Sequence, residues 1–135
     1  MDIKEINTFC NNTLISHLGI VFLECTENRV VATMPVNRNT HQPLGYLHGG
    51  ASLALAETVG TAGSLFNLDT EKYLAFGMNV TGSHVSSIRE GIVTATATIV
   101  HRGKTSHVWD VEIKDQSGKL ISVVRVTNAI VEKKE

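Results

Sequence analysis

The second half of the chain is written in period two. From Tyr73 to Val131 apolar and polar residues alternate in runs broken by turn residues, most plainly in GIVTATATIV at 91–100. Such alternation marks strands with one buried and one open face. The turn Gln116-Ser117-Gly118-Lys119 separates VWDVEIKD from KLISVVRVTNAIV, and four strands are expected in this half. Earlier, Ile20 to Thr26 and Arg29 to Val36 are rich in Val, Ile, Phe and Thr and form a hairpin candidate turning at Glu27-Asn28. Two stretches follow helical spacing instead. Ile3, Ile6 and Phe9 suggest a short amphipathic helix within Asp2 to about Asn12, and Ala51, Leu55, Val59 and Ala62 make one stripe along LHGGASLALAETVGTAGSL, from Leu47 to about Leu65. Between hairpin and long helix, Asn37 to Tyr46 collects Asn, Pro and Gly and reads as an irregular loop.

The order helix, two strands, long helix, four strands predicts an α+β fold: an antiparallel sheet of about six strands around one central helix, with neighbours in sequence mostly pairing. Exposed sheet edges would need cover, which edge-to-edge association of two copies supplies. At 135 residues, 42% hydrophobic and 19% charged, one domain spanning the chain is expected, with a core that needs neither metal nor disulfide. A formal net charge of -1 lacks the basic excess of a nucleic-acid binder. Cys10 and Cys25 are too few and too unpatterned for a disulfide framework or zinc site. The opening MDIKEINTFC is acidic where an export signal is basic, and the weakly charged stretch Asn39 to Leu68 is too diluted by polar residues and glycine for a membrane span. A cytoplasmic protein with no membrane association is expected.

Charge patterning singles out one residue. Between Arg38 and Asp69 the only formally charged side chain is Glu57, with Leu53, Ala54, Gly60 and Thr61 one turn to either side. If the helix is buried, a carboxylate with no local cation is costly to keep ionised, and carboxylates so placed are often functional. The plainer reading is a solvated helical glutamate. Thr61 shares the face of Glu57, one turn on. At the helix start, His48-Gly49-Gly50 offers backbone N–H groups at the positive end of the helix dipole with no side chain on either glycine, the outline of an oxyanion site. Taken singly, the glycine pair is a tight turn into the helix and His48 a cap; with Gln42 and Glu57 nearby the set gains weight.

Other motifs fail on spacing. Gly103-Lys104-Thr105 resembles the end of a P-loop, but Thr98 stands where the earlier glycine is required. The six histidines show no metal-ligand spacing, and no G-x-S-x-G occurs for a nucleophile elbow. No metal or cofactor is expected.

The run HQPLGYLHGGASLALAETVGTAGS, with NVTGSHVSSIREG and HVWDVEIKDQSGKL further on, resembles the hotdog-fold thioesterases of the phenylacetate and hydroxybenzoyl-CoA type. Within them it is most similar to the dihydroxynaphthoyl-CoA hydrolases and enterobactin-proofreading thioesterases. The resemblance spans essentially the whole chain. It implies hydrolysis of a small, aromatic acyl-CoA, with Glu57 as nucleophile or general base, Gln42 and the Gly49 N–H polarising the carbonyl, His48 positioning carbonyl or thiolate, and Thr61 helping to hold water. It further implies sites between subunits of a dimer of dimers, and coenzyme A contacts from Gly50, His84, Ser87 and Arg89 and from Arg102, Lys104 and Thr105. Coenzyme A would be part of the substrate. A hotdog hydratase or dehydratase and a non-catalytic acyl-CoA binder are the alternatives.

Overall fold

The computed structural model describes residues 1–134. A short helix α1 (Ile3–Phe9) is capped by Asp2, whose carboxylate accepts the Glu5 N–H at 2.8 Å. It ends at Phe9, the last of the three spaced apolar residues and short of the expected bound near Asn12, and a second short helix, α2 (Leu14–His17), follows with a capping box between Thr13 and Ser16. Four residues carry too little pattern to be read as a helix, which is why α2 is not apparent in the sequence. Strands β1 (Val21–Cys25) and β2 (Arg29–Val36) form the expected hairpin. Helix α3 (Gly49–Phe66) begins two residues after Leu47 because His48 is its cap. Strands β3 (Tyr73–His84), β4 (Gly91–Arg102), β5 (Ser106–Lys114) and β6 (Leu120–Glu132) complete the chain.

The six strands form one sheet in the order β1-β2-β4-β5-β6-β3, and every adjacent pair is antiparallel. Sequence neighbours pair except at β3. That strand lies beside β6 at the far edge, so segment 85–90 must cross from the edge to the sheet's interior. It is fastened on the way: the Val85 N–H donates to the Ile121 carbonyl and the Leu47 N–H to the Ile88 carbonyl, both at 2.8 Å. The crossing therefore lies against the loop that leads into α3.

The alternation seen in the sequence becomes the helix-facing side of the sheet. Val30, Ala32 and Met34 of β2, Val93, Ala95 and Ala97 of β4, Trp109, Val111 and Ile113 of β5, and Val124 and Val126 of β6 pack with Leu55, Ala56 and Val59 of α3. The other face is mixed, with Thr94, Thr96 and Thr98 beside Val31, Ile92 and Val123, and it carries the cross-strand pair Asp110–Arg125, in which the Arg125 Nε and Nη2 donate to the carboxylate at 2.7 and 3.0 Å. Helix and sheet approach closely at Gly63, where an added methyl would lie 2.5 Å from the Trp109 ring. Glycine is required there for want of space.

Candidate functional site

The first half of the site is built where the loop before α3 meets the crossing segment and the end of β6. The Gln42 side-chain oxygen accepts from the Leu44 N–H, with the Tyr46 N–H at 3.5 Å, so loop backbone occupies the amide's acceptor. Its NH₂ group has no acceptor among the described residues and is left to donate. Next, His48 caps α3 by accepting the Gly50 N–H on Nδ1 at 2.7 Å. That bond places the ring hydrogen on Nε2. It also uses the Gly50 donor, so of the two glycine N–H groups expected to be free, only that of Gly49 lacks an acceptor among the described residues. The helix start thus offers one backbone donor, supplemented by the Gln42 amide.

These donors border a cavity of about 240 Å³ lined by Gln42, Tyr46, Gly49, His84, Ser87 and Ser122 among others. His84 closes one side. Its Nδ1 lies 2.7 Å from Ser122 Oγ, and its ring rests against Gly49, where an added Cβ would be 2.6 Å from Nε2. At the rim Arg89 donates to the Tyr46 hydroxyl at 2.9 Å and stacks over that ring at 4.5 Å, while its carbonyl lies 2.7 Å from His41 Nε2. Gln42, His48, Gly49, Gly50, His84, Ser87 and Arg89 are therefore one neighbourhood.

Glu57 stands apart from it. Eight residues separate Gly49 from Glu57, about 12 Å along the helix axis at 1.5 Å per residue. The carboxylate is exposed in the single chain, as the plainer of the two readings of the sequence has it. The reason is topological: Glu57 projects over Gly77 of the edge strand β3, and no further strand lies beyond. A Cβ at position 77 would sit 2.6 Å from Glu57 Oε2. Thr61, one turn on, donates to Asn128 Oδ1 at 3.2 Å, and Asn128 is the β6 residue paired with Gly77. Successive turns of α3 thus rest on one cross-strand pair.

Arg102, Lys104 and Thr105 lie elsewhere. They sit at the β4–β5 turn, at the opposite end of β4 from Arg89, roughly 35 Å away along a 12-residue strand at ~3.3 Å per residue. Arg102 is tied to the β1–β2 turn, donating to the Glu27 carbonyl at 2.8 Å and Asn28 Oδ1 at 2.9 Å. One chain does not bring the two proposed phosphate-contacting groups together.

Several site residues were not singled out by sequence reasoning: Tyr46, Gly77, Ser122 and Asn128. The last two carried a signal. In LISVVRVTNAIV the inward positions of β6 run Ser122, Val124, Val126, Asn128, and the polar pair breaks an otherwise apolar face. Among the described residues no cluster of metal-ligating side chains is present, and no helix is long and apolar enough to cross a membrane.

Comparison with known proteins assigns the class: the antiparallel sheet around one helix, and the chain that forms it, are those of a hotdog-fold thioesterase. The chain belongs to the thioesterase superfamily, whose family model matches residues 44–122. A crystal structure of a glutamine-to-alanine variant of a thioesterase from Pseudomonas aeruginosa superposes with a TM-score of 0.96 at 38% identity, covering 98% of this chain and 96% of that one. The proofreading thioesterase EntH of Cronobacter sakazakii is 37% identical over 96% of this chain and 94% of its own. The 1,4-dihydroxy-2-naphthoyl-CoA hydrolase of Listeria monocytogenes is 35% identical over 87% of this chain and 95% of its own. The chain is accordingly a thioester hydrolase.

Proposed function

We propose that this thioesterase hydrolyses a small aromatic acyl-CoA at a site shared by two copies of the chain, with Glu57 of one copy facing Gln42, His48 and Gly49 of the other. The observation that carries the reading is the ~12 Å between the Gly49 N–H and Glu57 on one helix. A carbonyl held by the donors of one chain is out of reach of that chain's own carboxylate. A second copy closes the gap. The outer edge of β3 is unpaired among the described residues, and Phe76 and Met78 on it are 55% and 62% exposed. Antiparallel pairing of two β3 edges about a two-fold axis at Thr81, with the irregularity between Gly77 and Asn79 taking up one residue, would set position 77 of one chain beside position 84 of the other. Glu57 lies over Gly77, and Gly49 lies against His84. The carboxylate and the donors would then meet across the junction, and further pairing of such dimers would give the tetramer.

The chemistry follows from those groups. Attack on the thioester carbonyl builds negative charge on oxygen, and preset N–H donors stabilise it without reorganising, each worth about 3 kcal/mol. In the general-base route Glu57 takes a proton from water, the hydroxide forms the new C–O bond, and the C–S bond breaks to release thiolate. In the nucleophilic route a Glu57 oxygen forms a mixed anhydride as thiolate leaves, and water then cleaves it. His48, with its hydrogen on Nε2, would donate to carbonyl or thiolate. Gly50 would serve through its bare Cα, and His84, Ser87 and Arg89 would meet pantetheine or phosphate at the cavity rim; Arg102, Lys104 and Thr105 could reach the same molecule only from another subunit. Support for an aromatic acyl-CoA comes from the Listeria relative, whose name specifies such a substrate.

The test is thiol release from dihydroxynaphthoyl-, hydroxybenzoyl-, phenylacetyl- and aliphatic-CoA and from a carrier-protein thioester, with Glu57→Ala alongside. Fastest turnover of an aromatic CoA, abolished in the variant, is expected. Hydration of an enoyl-CoA without thiol release would overturn the reading. Single turnover in ¹⁸O water tests the nucleophilic route, since label in Glu57 requires an anhydride opened by water at the Glu57 carbonyl.

A further inference from the structure

Behind Thr61 a buried polar network runs through the core, and its hydrogen-bond directions can be worked out from donor and acceptor chemistry. The Gly60 carbonyl can only accept, so the Asn128 group 3.2 Å from it is the NH₂, which also reaches Ser64 Oγ at 2.8 Å. Asn128 therefore turns its oxygen towards Thr61. The Trp109 indole can only donate, and it too donates to Ser64 Oγ, at 2.9 Å. With two bonds received, Ser64 has its single hydrogen left for His107 Nδ1, 2.9 Å away. His107, 2% exposed, then carries its ring hydrogen on Nε2. Burial, reinforced by the charges of Arg102 and His101, lowers the His107 pKa, which keeps Nδ1 unprotonated.

On this basis we propose that Asn128 is a positioning residue that fixes Thr61 as a hydrogen-bond acceptor towards the attacking water. The inference rests on the reading of Glu57 and Thr61 given above. With its own hydrogen held by Asn128, the Thr61 hydroxyl offers only a lone pair to the site. A water between Glu57 and Thr61 then donates one hydrogen to each and is left with its lone pairs free for the thioester carbonyl carbon. A Thr61 hydroxyl free to rotate could donate to the water instead, occupying the electron pair that must form the new C–O bond. The Gly60 carbonyl and Ser64, itself held by Trp109 and His107, together set the amide, and the amide sets the hydroxyl.

The test is a double-mutant cycle in hydroxybenzoyl-CoA turnover. Asn128→Ala should lower kcat about tenfold with KM within twofold, and in a Thr61→Val background, where no hydroxyl remains to orient, the same change should cost less than twofold. Additive losses in the two backgrounds would overturn the proposal, because a purely structural role for Asn128 does not depend on the Thr61 hydroxyl. Glu57→Ala is run in parallel: if it keeps turnover, the parent reading fails; if it loses turnover while the cycle is additive, only the role of Asn128 fails. Should Asn128→Ala not fold, Ser64→Ala, which leaves the Gly60 carbonyl as the amide's one remaining acceptor without altering the site surface, replaces it in the cycle with a threefold loss of kcat expected and the same criterion. The unmutated protein gives a further check by ¹H–¹⁵N NMR: a bare Nδ1 and protonated Nε2 on His107 are expected, and the opposite tautomer would overturn the chain of directions.

Discussion

The two halves of helix α3 treat their polar groups in opposite ways. In the last turns Ser64 is fully buried and shares three hydrogen bonds with Asn128, Trp109 and His107. In the first turns and the loop before them, the Gly49 N–H and the Gln42 NH₂ find no acceptor among the described residues, and Glu57 stands exposed over a glycine. A buried polar group left unpaired costs stability, so the satisfied end is the end that holds the fold. The open groups at the other end border a cavity and are available to a ligand. Satisfied and open polar groups are thus divided along one helix, and changes at its two ends should have largely separable consequences.

Removing the carboxylate should have the largest effect. Glu57→Ala is expected to cost about a thousandfold in thiol release, within the range for loss of a general base, with thermal unfolding nearly unchanged because the side chain is exposed. A comparable loss of stability would erase the division between the ends. At the packed end, Gly63→Ala forces a methyl to 2.5 Å from the Trp109 ring and should destabilise by roughly 2 kcal/mol in urea titration, with kcat per folded molecule falling by no more than the threefold expected of Ser64→Ala. At the open end, Gly77→Ala should do the reverse. Its methyl displaces only the mobile end of Glu57, so stability should change by less than about 1 kcal/mol while kcat falls on the order of tenfold.

The smallest effect is in pH. The folded-state pKa of His107 lies below its ordinary value of 6.5, so between the two the unfolded chain binds more protons than the folded one. Stability from this group is present above pH 6.5 and is lost as pH falls towards the folded value, by no more than about 1.4 kcal/mol per pH unit for one proton. Urea midpoints at pH 7.5 and 5.5 should show this loss, and His107→Gln should diminish it. An unchanged difference in that variant would assign the acid sensitivity to other groups.

Much of the candidate site was legible because its signals are local. Glu57 stood out as the one charge between Arg38 and Asp69, and His48, Gly49 and Gly50 as a helix start. Local chemistry also reaches its limit there: HGG is equally compatible with two free glycine donors and with a His48 cap, and only the folded loop shows the ring accepting from Gly50 and leaving Gly49 as the open donor. Asn128 and His107 are distant in sequence from Thr61 and Ser64, and only the packing of β5 and β6 on α3 brings them together.

By itself the sequence determined the alternating strands, the long helix and the isolation of Glu57, since periodicity and charge act over one or two turns of chain. Strand order belonged to the tertiary structure. β3 pairs with β6 at the far edge, and the choice between that place and a hairpin with β4 depends on how whole faces pack, which no short window of residues records. The same placement leaves Glu57 over an open edge instead of inside a core. The helix fixes its separation from Gly49, and only the folded arrangement shows which face each of them presents.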